Sequence, residues 1–131
     1  MEYNMVGWFE IPVTDLDRAR TFYEAVFGVA IQVQQVGELE MGWFPMADGK
    51  KGAAGSLVKH PDFYHPSSTA GVVIYFTCPD LDATLERVTR AGGAVLQPKK
   101  AIGDGFGYMG LFLDTEGNRI ALHSRSKAPV F

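Results

Sequence analysis

Asp15-Leu16-Asp17 returns 65 residues later as Asp80-Leu81-Asp82, and the reading of that repeat decides the fold. At the same offset Gly28 returns as Gly93, Ile31-Gln32 as Leu96-Gln97, and Ile11 as Phe76. Two copies of this period account for essentially all of the 131 residues. A long-period repeat of this kind indicates one domain built from two equivalent halves. A half of that size is near the lower limit for a self-sufficient core, so the halves are expected to pack on each other or on a partner chain.

Each copy reads as β-α-β-β-β. Val6 to Val13 alternates as a strand, with Trp8 and Glu10 on one face and Phe9 and Ile11 on the other. Thr14-Asp15-Leu16-Asp17 has the form of a helix start. Leu16, Ala19, Phe22, Tyr23, Val26 and Phe27 then follow on one helical stripe, and Gly28 supplies the stop. Strands are predicted over 30–36, 40–46 and 53–59, with Asp48-Gly49 as a hairpin signal. The proline-bounded stretch His60 to Ser68 reads as a connection. The second half gives a strand over 71–78, a helix started by Asp80 and ended by Gly92-Gly93, and strands over 94–97, 108–113 and 119–124. The organisation is therefore module one at about 5–59, a linker at 60–70, module two at about 71–124 and a loosely held tail at 125–131.

Composition narrows the function. Twelve Lys and Arg against fifteen Asp and Glu give a net charge of −3. With no basic run, a nucleic-acid footprint is not expected. The lone Cys78, beside Pro79 at the end of an apolar run, reads as a buried thiol and excludes a disulfide framework or a cysteine metal cluster. No apolar run is long enough to span a bilayer and no leader is evident, so a cytoplasmic protein is expected.

The duplicated module resembles the glyoxalase / bleomycin-resistance / dioxygenase superfamily, also called the vicinal oxygen chelate superfamily. The resemblance rests on Val13-Thr14-Asp15-Leu16-Asp17-Arg18-Ala19 with Phe22-Tyr23 and Phe27-Gly28, and on Phe112-Leu113-Asp114-Thr115-Glu116-Gly117-Asn118-Arg119. It implies an α+β fold in which two βαβββ modules form a half-open, cup-like β-barrel with the helices outside. It also implies four metal ligands, one from the first and one from the last strand of each module. The first-strand position falls on Trp8 and its repeat on Val73. Four residues past the glycine of Asp-Thr-Glu-Gly lies Ala121, and four past Gly49 lies Ala53. None of these side chains is a donor for a hard or borderline cation, so no metal and no cofactor are expected.

What remains is an aromatic cup. Trp8, Trp43, Val73, Tyr75, Tyr108, Arg119 and Ala121 are the expected substrate-binding residues. Glu10 and His123, from the first and last strands, are the candidate acid and base. His60, Asp62 and His65 are read as a solvated loop rather than a metal cluster. Gly105-Phe106-Gly107-Tyr108-Met109-Gly110 fits G-x-G-x-x-G but leads into a strand, so it lacks the helix N-terminus of a phosphate site and reads as a loop at the cup's mouth. The expected function is a metal-free binder of a small organic molecule, as a homodimer. The alternatives are a metal-independent lyase or isomerase using Glu10 and His123, and a non-catalytic structural or regulatory dimer.

Overall fold

The computed structural model describes residues 2–125. The chain order is β1 (Trp8–Pro12), α1 (Leu16–Phe27), β2 (Gln32–Val36), β3 (Leu39–Trp43), β4 (Ala54–Lys59), β5 (Tyr75–Thr77), α2 (Leu81–Arg90), β6 (Ala94–Gly103), β7 (Gly107–Leu113) and β8 (Arg119–Ser124). The strands form two four-stranded sheets, ordered β1-β4-β3-β2 and β5-β8-β7-β6. β1 lies parallel to β4 and β5 parallel to β8, while the other pairs are antiparallel. The two βαβββ modules expected from the repeat are present. The tail beyond Arg125 lies outside the described residues.

Both helices begin as their sequences dictate. Asp15 accepts from the Arg18 N–H at 3.0 Å and Asp80 from the Ala83 N–H at 3.1 Å, each satisfying one orphan donor of a first turn. Gly28 ends α1 in the left-handed region at φ 65°, where a side chain would be strained. The helices cover one face of each sheet, where Ile11, Phe22, Val26, Leu57, Phe112 and Leu122 are buried together. Gly42 and Gly110 are where the helices come closest to the sheets. A Cβ there would meet Ile31 and Leu16, or Leu81 and Leu85.

The modules are braced across this core. Phe76 of module two packs against Phe9, Phe27 and Phe44 of module one at ring-centroid distances of 5.5, 4.6 and 5.6 Å. The 114–118 turn does the polar part. Buried Tyr23 donates to Asp114 at 2.6 Å, and the Asn118 amide donates to the Pro12 carbonyl at 2.7 Å. Glu116 accepts the Thr14 and Asp15 N–H groups, both at 2.9 Å, and is forked by Arg18 at 2.7 and 3.0 Å. Burial pushes the Glu116 carboxyl up, but the Arg18 bond and then the two backbone N–H groups and the Thr115 hydroxyl outweigh it and bring it down to about 2. From α2, the Arg87 guanidinium reaches the Val26 carbonyl at 2.8 Å.

Two strand bounds need correction. The strand read over 71–78 is only Tyr75–Thr77, because Gly71 takes φ +87° and the chain pairs only from Tyr75. The strand read over 94–97 runs on to Gly103. Pro98 sits between register shifts of this edge strand, where no ladder hydrogen bond is needed from it. Gly103, Gly105 and Gly107, all at positive φ, make the hairpin tip that the G-x-G-x-x-G pattern marked.

Candidate functional site

No strand of one sheet pairs with a strand of the other; β1 and β5 meet only through side chains, Phe9 against Phe76. The edge strands β1 and β5 instead border an open cleft of about 910 Å³. On one side its walls are Trp8, Glu10, Tyr75 and Thr77, from the sheet faces opposite the helices. At its floor are Phe9, Phe27, Phe44 and Phe76, the rings of the module seam. Among the described residues, Lys51 is the only cation lining it. A mainly aromatic concavity with few polar groups fits a small organic molecule. Trp8 is 38 % and Tyr75 54 % exposed, so both rings are open to a ligand or a second chain.

The register fixes which side chains share the site. Glu10, Ser56 and Trp43 form one cross-strand row over β1-β4-β3, and Trp8 meets Trp43 edge-on at 6.0 Å. The corresponding row of module two is Tyr75, Ala121 and Leu111. The row corrects the fourth ligand position. β4 and β8 are offset by 65, so the counterpart of Ala121 is Ser56 and not Ala53. Counting from Gly49 fails because the β3–β4 connection is longer than the β7–β8 turn, which displaces that glycine. The hairpin β6–β7 is longer than β2–β3 and compensates.

The corrected positions are Trp8, Ser56, Val73 and Ala121. Ser56 is fully buried and its hydroxyl has no hydrogen-bond partner among the described residues, as is the case for the Trp43 indole N–H. A serine hydroxyl alone is a poor metal donor. Among the described residues, no three His, Cys, Asp or Glu side chains gather in a way that could hold a metal ion. The donor set does not fit the metal that the fold can carry.

Other predicted residues fall apart or together as follows. Glu10 and His123 form no ion pair, since each is engaged elsewhere. Tyr64, in the linker, donates to Glu10 Oε1 at 2.6 Å, and His123 Nε2 lies 2.8 Å from the Phe106 carbonyl. The carboxylate acceptor, and then burial, push the Tyr64 hydroxyl up. Val73 lines the cleft beside Tyr75. Tyr108 packs on the helix-side core with Lys99 Nζ 4.4 Å from its ring centroid. Arg119 lines a separate, smaller cavity with Glu10. Cys78 is buried, and burial pushes its thiol up.

The linker is more ordered than its composition suggests. His60 is 6 % exposed, not solvated. Its Nδ1 accepts from the Asp62 N–H at 3.2 Å, its Nε2 lies 3.4 Å from Glu38, and its ring packs on Phe63. Tyr64 was the site residue missed by sequence reasoning. Its only sequence signal is an aromatic flanked by two prolines, and nothing local links it to Glu10.

The comparisons agree with this geometry. The family description that matches residues 5–122 is Glyoxalase/Bleomycin resistance protein/Dioxygenase superfamily. A glyoxylase-like domain-containing protein of Didymella fabae is 32% identical over 126 residues, covering 94% of this chain and 95% of its own length. A glyoxylase/bleomycin resistance protein/dioxygenase domain from Frankia sp. EAN1pec superposes with a TM-score of 0.72 at 18% identity, over 95% of this chain and 99% of that one. TnmS3, an antibiotic binding protein from Streptomyces sp. CB03234, superposes with a TM-score of 0.65 at 26% identity, over 96% and 99%. Among the described residues no helix is long and apolar enough to cross a membrane.

Proposed function

The chain belongs to the glyoxalase/bleomycin resistance protein/dioxygenase superfamily, and from that premise we propose that it binds a small, largely aromatic organic molecule in the β1–β5 cleft without a metal. The observation that carries the reading is the row structure of the site. Four positions that can bear metal ligands in this fold hold Trp8, Ser56, Val73 and Ala121, and beside them the cleft is walled by Trp8, Tyr75, Phe9 and Phe76. Ring stacking and edge contacts on such walls contribute about 0.5–1.5 kcal/mol per aromatic pair beyond area burial. The likeness to TnmS3 supports a natural-product ligand of the antibiotic kind.

The binder acts as a homodimer in this reading. Val6, Trp8, Val72 and Tyr75 are exposed along the two cleft lips, 63 %, 38 %, 89 % and 54 % respectively, and a second copy would cover them.

The chain has only two tryptophans, and both lie on this face. Intrinsic fluorescence therefore reports the cleft directly. A panel of small aromatic compounds is titrated with EDTA present and again with zinc, nickel or manganese, alongside thermal shift. Saturable quenching that is indifferent to divalent ions, and lost in Trp8→Ala, is the expected result. Binding that requires a divalent ion, or stoichiometric metal in the purified protein, overturns the metal-free reading. A monodisperse monomer by light scattering at tens of micromolar overturns the dimer.

A further inference from the structure

A second cavity of about 210 Å³ lies on the other side of Glu10 from the aromatic cleft, between β1, the end of the linker and the start of β8. It is too small for a drug-sized ligand, whose pockets begin near about 300 Å³. Its polar lining is Glu10, His65, Ser67, Asn118 and Arg119. The two charges come from different sheets and form no ion pair with each other. Glu10 belongs to β1 of the first sheet, and Arg119 opens β8 of the second, with its N–H bound to the Ser67 carbonyl at 3.3 Å.

Neither charge is neutralised by the protein. The Arg119 guanidinium makes one long contact, Nη2 to the Gly71 carbonyl at 3.4 Å, and forms no ion pair among the described residues. Glu10 uses only Oε1, for the Tyr64 hydroxyl at 2.6 Å, which orients the carboxylate while Oε2 has no partner among the described residues. Both side chains are half-buried. Partly desolvated charges left unpaired are costly, and each is relieved by a ligand group of opposite sign. The Ser67 hydroxyl oxygen accepts from the Thr69 and Ala70 N–H groups at 3.2 and 2.9 Å, leaving its own hydrogen to donate. Asn118 is excluded, since its amide hydrogens are spent on Pro12 and Asp114 at 2.7 and 3.0 Å.

From this arrangement we propose that the small cavity binds a zwitterion of α-amino-acid size, its carboxylate on Arg119 and the Ser67 hydroxyl and its ammonium on Glu10. The site adjoins the aromatic cleft, with Glu10, Val72 and Ile74 between the two. It gives the chain a polar subsite that the family's metal positions do not supply.

The test uses the full chain, labelled with nitrogen-15, and L-alanine as the probe. Saturable shifts are expected at the Ala70, Gly71 and Arg119 signals, with Trp8 and Trp43 fluorescence unchanged. Acetate and methylammonium, each carrying half of the recognition, are expected to bind at least about ten-fold more weakly, the worth of one charge-assisted hydrogen bond. Arg119→Gln and Glu10→Gln should each weaken L-alanine by about ten-fold or more. The spectra themselves show whether each variant is folded. No saturable shift with L-alanine, equal binding of acetate, or unimpaired binding in folded Arg119→Gln overturns the proposal. Because the acetate comparison uses the natural sequence, it decides even if a variant fails to fold. The aromatic cleft is read by fluorescence, so failure here leaves that reading standing.

Discussion

Replacing Glu116 by Gln tests whether the 114–118 turn clamps the two modules. All the groups facing this carboxylate are donors: the Thr14 and Asp15 N–H groups, the Thr14 and Thr115 hydroxyls and the Arg18 guanidinium. A glutamine removes the charge and turns an NH2 toward one of them. A carboxyl brought from 4.5 to about 2 corresponds to a linkage of at most about 3.4 kcal/mol. The Glu116 side chain is fully covered but that of Arg18 is half exposed, so solvent screening reduces the expected loss to about 1–2 kcal/mol. For a domain of this size that lowers Tm by about 4–8 °C. The sign of the pH dependence follows from the depressed value. The stabilisation is complete above about 4.5 and is lost as pH falls toward about 2. Urea denaturation of the natural chain and the variant across pH 7 to 2.5 measures the gap. It should be widest at neutral pH and close in acid. A gap absent at pH 7, or constant down to pH 2.5, refutes the clamp.

Three further substitutions probe the cleft and its supports. Ser56→Ala removes a fully buried hydroxyl without a partner, so stability should stay level or rise by up to about 1 kcal/mol in urea denaturation; a loss above about 1 kcal/mol would reveal an unseen partner. Gly55→Ala places a Cβ 2.4 Å from the Phe9 carbonyl oxygen and must push β1 off β4, which should cost about 2–3 kcal/mol and weaken cleft binding; a fully stable variant with intact ligand quenching contradicts the packing. Tyr64→Phe removes the bond to Glu10, which should cost about 1 kcal/mol and remove one late-titrating phenol from an alkaline absorbance titration, leaving Tyr23, which burial and then the Asp114 charge hold well above the ordinary value.

The parts of the fold that were legible are those encoded locally. Asp15 and Asp80 sit at caps, Gly28 at a left-handed stop, and the stripe from Leu16 to Phe27 against a core. These signals depend on neighbours within a turn or two of chain. The parts that were not legible depend on distant contacts. Nothing near Pro98 announces that an edge strand can carry it between register shifts. Nothing near Tyr64 announces a carboxylate 54 residues away, and nothing near the buried His60 announces its contact with Glu38, 22 residues back. The motif Asp114-Thr115-Glu116-Gly117-Asn118 was visible as a turn, but its work is done on Pro12, Thr14, Asp15 and Tyr23 of the other module.

The same contrast explains why counting from a turn glycine points to Ala53, three residues short of Ser56. A repeat offset is rigid only where the chain is held in a ladder. It holds from Glu10–Tyr75 to the match of Ala54–Lys59 with Arg119–Ser124, and it breaks in the hairpin and connection between them, where lengths vary freely. Counting along strands therefore places Ser56 opposite Ala121, whereas counting from a turn glycine does not. The ladder also shows that the two halves differ on the face away from the helices. Module one presents Glu10, Ser56 and Trp43 where module two presents Tyr75, Ala121 and Leu111. The helix-facing side, which must fill a shared core, kept aliphatic and aromatic residues in both. Packing constrains the helix-facing side alike in both modules, whereas the opposite side pairs one polar row with one apolar row, an asymmetry that suits the proposed ligand if it has one polar end.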